Sequence, residues 1–250
     1  ECGYTIAWGP NIAPGAKKPE RASLSDVILE KRLRVAIDRL NPHLPQTSRD
    51  EALLALIRED TPDHVDENRR LHDYLVNGVP VDVVREDGTQ SGDRVRLLDF
   101  ENPENNDFLV VRQFVIEKDE ANRRPDLVLF VNGMPLGVIE LKSPSSENAT
   151  LDSAWNQFQT YRSLIPSLFR FNEALMISDG TQARVGSLTA DRHRIIPWRT
   201  NNGGDLIAKH NAVIETVLWG MFTPHSLLCL ICPCAPCCES SVITYNILDA

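Results

Sequence analysis

The chain has 250 residues, 42% of them hydrophobic and 24% charged, with a net charge of -9. That composition suits one large globular domain, or one domain with appendages. It excludes a free-standing binder that holds polyanions by bulk positive charge, so any nucleic-acid surface must be local or supplied by partner subunits.

No apolar run approaches the roughly 18 residues of a membrane span, and ECGYTIAWGP lacks a basic stretch followed by an apolar one. No membrane association is expected, and the expected location is the cytoplasm. The chain does not start with Met, which reads as a fragment or a processed product. Cys2 stands alone and the other cysteines are Cys229, Cys232, Cys234, Cys237 and Cys238. Their absence from 3–228 suits a reducing compartment.

Residues 1–24 read as a lead-in, irregular to about Gly15. From Ser25, a candidate N-cap, Val27, Ile28, Leu33, Ala36, Ile37 and Leu40 follow helical spacing until Asn41-Pro42 ends the helix. A second helix is expected to bury Leu53, Leu54, Leu56 and Ile57, and a third to include Asn68–Leu75. Val79, Val81, Val83 and Val84 then alternate as in a strand, and Asp87-Gly88 signals a turn. Arg94–Phe100 and Phe108–Glu117 read as two further strands.

Asp126–Val131 is almost wholly apolar, as a strand buried on both faces would be. Asn132-Gly133 is a tight hairpin signal, and Leu136–Lys142 returns as a second apolar strand. Folding at Asn132-Gly133 brings Asp126 beside Glu140 although 14 residues separate them. A helix over Leu151–Leu164, with Ala154, Trp155, Phe158 and Ile165 as its stripe, precedes strands at Ala174–Ile177 and Ala183–Leu188. This order predicts an α/β fold with a mixed central sheet flanked by helices.

Two carboxylates on adjacent strand ends, with the Leu141 carbonyl as a third oxygen, form a donor set for Mg²⁺. Such a cation would polarise a phosphate and activate water. Lys142 shares a strand face with Glu140, where its ammonium would steady the attacking water or the phosphorane charge. The alternative reading of Glu-x-Lys is a plain surface ion pair. The apolar strands and the convergence of Asp126 with Glu140 argue against it.

The run RRPDLVLFVNGMPLGVIELKSP resembles the PD-(D/E)xK nuclease motif. More narrowly, about residues 3–228 resemble the N-terminal nuclease region of the R (restriction) subunit of type I restriction enzymes. The likeness is carried also by DVILEKRL, LNPHLP, NGVPVDV, DFENPENNDFLV, WNQFQTYR and ISDGTQARVGSLT. The resemblance implies a restriction-endonuclease-like core over 25–225, Asp126 and Glu140 as metal ligands, and Lys142 as the catalytic lysine. Gln157 and Tyr161 match the family's Q-x-x-x-Y element and join the catalytic set. Glu30 is a candidate further metal ligand, with a solvated helix glutamate as the alternative. Lys118, Arg123, Arg124 and Arg162 are candidate phosphate contacts.

The resemblance further implies double-stranded DNA as substrate, and specificity (S) and methylation (M) subunits as partners. ATP would act only through a motor domain. No G-x-x-x-x-G-K-[ST] loop occurs here, so no residue of this chain is assigned to ATP. The likeness fades after Gly220–Pro224, and residues 226–250 form a Cys-rich tail expected to lie outside the fold. Its two C-x-x-C pairs are separated only by Pro233, which is unlike zinc knuckles with a loop between them. The tail reads as the product of a frameshift or truncated gene. An inactive remnant of the R subunit is the alternative to an active endonuclease domain.

Overall fold

The computed structural model describes residues 3–84, 88–143, 150–198 and 214–232. Its centre is a six-stranded mixed sheet in the order β1-β4-β7-β8-β9-β10. These strands are β1 (Thr5–Trp8), β4 (Phe108–Arg112), β7 (Leu127–Val131), β8 (Met134–Leu141), β9 (Ala174–Ser178) and β10 (Ala183–Gly186). The β4/β7 and β7/β8 pairs are antiparallel, and β8/β9 is parallel. The parallel pair is joined by the crossover helix α5 (Leu151–Leu164), opened by a Thr150/Ser153 capping box. Helices α2 (Glu30–Leu40), α3 (Gln46–Ile57) and α4 (His64–Asn77) precede a separate hairpin of β2 (Val79–Val84) and β3 (Gln90–Val95). The short hairpin of β5 (Ile116–Lys118) and β6 (Ala121–Arg123) enters β7.

Alternation along the central strands divides the core. Val128, Phe130, Leu136 and Val138 pack with Phe158 and Tyr161 of α5. Leu129, Ile139 and Met176 pack with Val217 and Met221 of α6 (Ile214–Met221) and Cys229 of α7 (Pro224–Ile231). Both faces of the sheet are thus covered, which explains the near-continuous apolar runs in β7 and β8. Among the described residues no single helix is long and apolar enough to cross a membrane.

The Asn132-Gly133 turn holds both residues at positive φ, 51° and 82°, as a type I′ turn requires. It is fixed on two sides. The fully buried Asn132 side chain donates to Leu97 O and Asn106 Oδ1, and accepts from Asp107 N. Leu29 N donates to Gly133 O at 2.9 Å, and a Cβ on residue 133 would stand 2.5 Å from Leu29 O. Glycine is needed there for both backbone conformation and space.

Several expectations require correction. The lead-in contains β1, which pairs in parallel with β4 at the sheet edge, and the short helix α1 (Gly9–Ile12). Four residues ending at Gly-Pro were too few to read as a strand. The first helix starts at Glu30, because Ser25 and Asp26 close a loop in which Asp26 Oδ2 accepts from Ala22 N and Ser23 N. In α3 the buried apolar residues are Ala52, Leu53 and Leu56, while Leu54 and Ile57 face solvent. The strand expected at Arg94–Phe100 lies earlier, at Gln90–Val95, and Asp87 lies outside the described residues. Phe108–Glu117 is two strands, broken at Gln113. A boundary at 225 cuts through α7, whose Leu227, Leu228, Cys229 and Ile231 are buried core. Cys234, Cys237 and Cys238 lie outside the described residues, and with them the question of a zinc site.

Candidate active site

The β7/β8 register runs Leu127 opposite Ile139, so one step further sets Asp126 opposite Glu140. Both project to the sheet face that carries α5. Asp126 Oδ2 accepts from Leu141 N at 2.9 Å, and Asp126 Oδ1 accepts from Gln113 Nε2 at 3.0 Å. A strand residue points its N–H and C=O to the same side, so the Leu141 carbonyl also faces Asp126. On its other flank β8 continues its bonding to β9 through Lys142 N and Ser178 O, 2.8 Å apart.

Glu140 is 2% exposed. It belongs to a closed ring of hydrogen bonds with Lys142, Gln157 and Tyr161. Lys142 Nζ donates to Glu140 Oε1 and to Gln157 Oε1, both at 2.8 Å. Gln157 Nε2 donates to Tyr161 Oη at 2.7 Å, and Tyr161 Oη donates to Glu140 Oε2 at 3.2 Å. Lysine has no acceptor, so every donor direction around the ring follows from it. Gln157 and Tyr161 meet the strand end because they stand four apart on α5 and share its inner face.

The electrostatics of this ring are unbalanced. Burial pushes the Glu140 carboxyl above its ordinary pKa, and the Asp126 charge pushes the same way. The hydrogen bond from Lys142 opposes this without cancelling it. Burial and the charge of Glu140 also push the Tyr161 hydroxyl well up, so it stays a neutral donor. Two carboxylates and one ammonium give the group a formal surplus of negative charge carried on oxygen donors. Hard divalent cations prefer such a donor set and keep several waters as further ligands. The residues present therefore fit Mg²⁺ through Asp126, Glu140 and the Leu141 carbonyl. Among the described residues no cluster of three or more His, Cys, Asp or Glu side chains converges on a metal position.

Glu30 does not join this site. It follows Leu29, which is bonded to Gly133 at the turn end of the hairpin. Six residues of β8, Met134–Ile139, separate that end from Glu140, on the order of 20 Å at strand rise. The exposed Glu30 is thus a first-turn helix residue far from the carboxylate pair. Arg123 and Arg124 directly precede Pro125-Asp126 and lie at the carboxylate end of the sheet, with Lys118 on the partner strand of the same small hairpin. Arg162 is turned away. It donates to Gln159 and borders a surface groove with Asp63, His64 and Val65. Gln113 was missed: a run of VVRQFVIE carries none of the Gly, Asn or Asp that signals a break.

This arrangement, a mixed sheet whose central hairpin presents Asp126, Glu140 and Lys142 beneath a crossover helix, defines the class: a restriction-endonuclease-like α/β fold. Comparison with known proteins narrows it. The model for the family "Type I restriction enzyme R protein N terminus" matches residues 1–194, and the chain belongs to that family. It is 38% identical over 229 residues to the type I restriction enzyme HindI endonuclease subunit of Haemophilus influenzae, covering 90% of this chain and 22% of that protein. It is 36% identical over 245 residues to the putative type I restriction enzyme MjaIXP endonuclease subunit of Methanocaldococcus jannaschii, covering 90% of this chain and 23% of that one. The type I restriction enzyme EcoprrI endonuclease subunit of Escherichia coli is 33% identical over 134 residues, 52% of this chain and 40% of the relative. The chain thus spans less than a quarter of the length of the first two relatives.

Proposed function

We propose that this chain is the Mg²⁺-dependent endonuclease domain of a type I restriction system, hydrolysing phosphodiester bonds of foreign, unmodified double-stranded DNA. The observation that carries this reading is the convergence of Asp126 on the ring-held Glu140–Lys142 pair at one end of the sheet. The chemistry supplied there by a divalent cation, when bound, is polarisation of the scissile phosphate and activation of a water. The chain's own residues do the rest. Lys142 has three N–H donors, of which Glu140 and Gln157 take two, so one remains for the attacking water or a phosphate oxygen. Tyr161 and Gln157 hold Glu140 and Lys142 in register, which limits their reorganisation during the reaction. Arg123, Arg124 and Lys118 offer charge to the DNA backbone beside the cut.

The relatives are named as endonuclease subunits, and on this reading the chain acts with specificity and methylation subunits. Coupling to ATP belongs to a motor domain. The test is cleavage of a plasmid by the purified chain with Mg²⁺, with and without partner subunits and a motor-bearing R fragment. Glu140→Ala and Lys142→Ala are each expected to lower cleavage at least 100-fold, as loss of a group acting on transition-state charge does, by roughly that factor. Cleavage unchanged by either substitution would remove Glu140 and Lys142 from the reaction, and no cleavage in the full mixture would replace this reading with an inactive remnant.

A further inference from the structure

Gln113 stands one residue beyond the last β4/β7 pair, opposite Asp126, and its backbone N–H donates to Asp126 O at 2.8 Å. It has a left-handed backbone, φ 56°, although it is neither glycine nor asparagine. L-residues avoid that region, and such outliers persist where the surroundings over-determine them, often at functional sites. Here the surroundings are identifiable. Gly9, at the junction of β1 and α1, lies so close that a Cβ on it would stand 2.2 Å from Gln113 O and 3.0 Å from Arg112 O. On the far side the chain turns at once into Phe114, fully buried against Phe130.

The consequence of this conformation is local. The strand ends, and the Gln113 side chain crosses to donate Nε2–H to Asp126 Oδ1. With Leu141 N on Oδ2, each carboxylate oxygen of Asp126 carries one N–H bond. Each oxygen therefore keeps lone-pair capacity for a cation, while the carboxylate's rotation is fixed in advance. An unconstrained strand residue at 113 would continue the ladder and leave Oδ1 to water.

We propose that Gln113, packed against Gly9 at the start of α1, is a positioning residue that orients the Asp126 carboxylate for its divalent cation. This rests on the metal-site reading above. The test is calorimetric titration of the full chain with Mn²⁺, a cation of the same oxygen preference as Mg²⁺, alongside thermal unfolding in EDTA. Gln113→Gly suits the left-handed backbone and removes only the amide. It is expected to weaken Mn²⁺ binding about 10-fold, as loss of such supporting contacts does, with the unfolding temperature unchanged or raised. Asp126→Asn is expected to abolish binding. Binding by Gln113→Gly within twofold of the parent, while Asp126→Asn binds nothing, overturns the role of Gln113 and leaves the site standing. A fall in unfolding temperature that accompanies the lost affinity makes Gln113 merely structural and also overturns the proposal. Equal binding by the parent and Asp126→Asn removes the metal site, and the proposal with it.

Discussion

Two buried glutamates in this molecule face opposite electrostatic circumstances. Glu67 on α4 is 1% exposed and Glu140 is 2% exposed. Glu67 Oε1 accepts from Arg70 and from Arg170, at 2.7 and 2.8 Å. Burial pushes its carboxyl up, but the two arginines outweigh that and leave its pKa below the ordinary value. Arg170 also donates to the carbonyls of Leu56, Ile57 and Arg58, at the C-terminal end of α3. Asp60 lies beside Arg70 and Glu59 beside Arg170, so that cluster is charge-compensated, and it ties α3 to α4. Glu140 has one lysine, and Asp126 as an unfavourable neighbour, so its carboxyl stays above the ordinary range. Burial alone does not mark a functional charge. An uncompensated surplus of one sign does, because a ligand of the other sign can relieve it.

The contrast can be broken by substitution. Glu67→Ala leaves Arg170 buried beside a lost partner and is expected to cost about 3–5 kcal/mol, lowering Tm by roughly 10 °C in a domain of this size. Chemical denaturation would read this, and a loss no larger than that of a surface change would mean the two clusters are alike. Tyr161→Phe removes one hydrogen bond to Glu140 and the acceptor of Gln157. The expected loss is about 10- to 100-fold in cleavage rate, typical of a group supporting a metal ligand, with Tm changing far less than in Glu67→Ala. Single-turnover kinetics on plasmid would measure it. Arg124→Ala, exposed beside Pro125, should weaken DNA binding alike on all sequences and reduce the salt slope by about one. A salt titration of binding to unrelated duplexes would show whether the slope stays put instead.

Much of this was legible from residue order. The turn signal at Asn132-Gly133 and the near-continuous apolar strands sufficed to bring Asp126 to the level of Glu140, but not to set the pairing: the register of the turn, carried on unbroken, would put Asp126 opposite Ile139, and the shift between Leu129 and Phe130 moves it to Glu140. Spacing of four on a helix sufficed to put Gln157 and Tyr161 on one face, and the resemblance supplied their destination. What was hidden depended on tertiary support. Strand β1 is only four residues long, and its exposed Ile6 and Trp8 give no burial pattern. The left-handed turn at Gln113 sits where the chain passes close against Gly9, a residue over 100 positions away, so no local propensity announces it. The first helix failed to start at Ser25 because Asp26 spends its side chain on the preceding loop. Glu30 was misplaced because its helix docks on the hairpin turn and not on the strand ends.

The central claim is that the Asp126–Glu140 pair carries surplus negative charge awaiting a divalent cation. A carboxyl whose folded pKa lies above its unfolded value leaves the folded state with more bound protons between those two values. Its contribution to stability therefore falls as pH rises from the ordinary carboxylate range through the raised pKa. Thermal unfolding of the parent and of Glu140→Gln at neutral pH, in EDTA and in excess Mg²⁺, tests this directly. In EDTA, Glu140→Gln should unfold at a higher temperature than the parent, and that advantage should vanish as pH drops below the carboxylate range. Added Mg²⁺ should raise the Tm of the parent, by the linkage of binding to folding, and leave Glu140→Gln unmoved. A parent that gains nothing from Mg²⁺, or a variant that gains as much, would contradict the account.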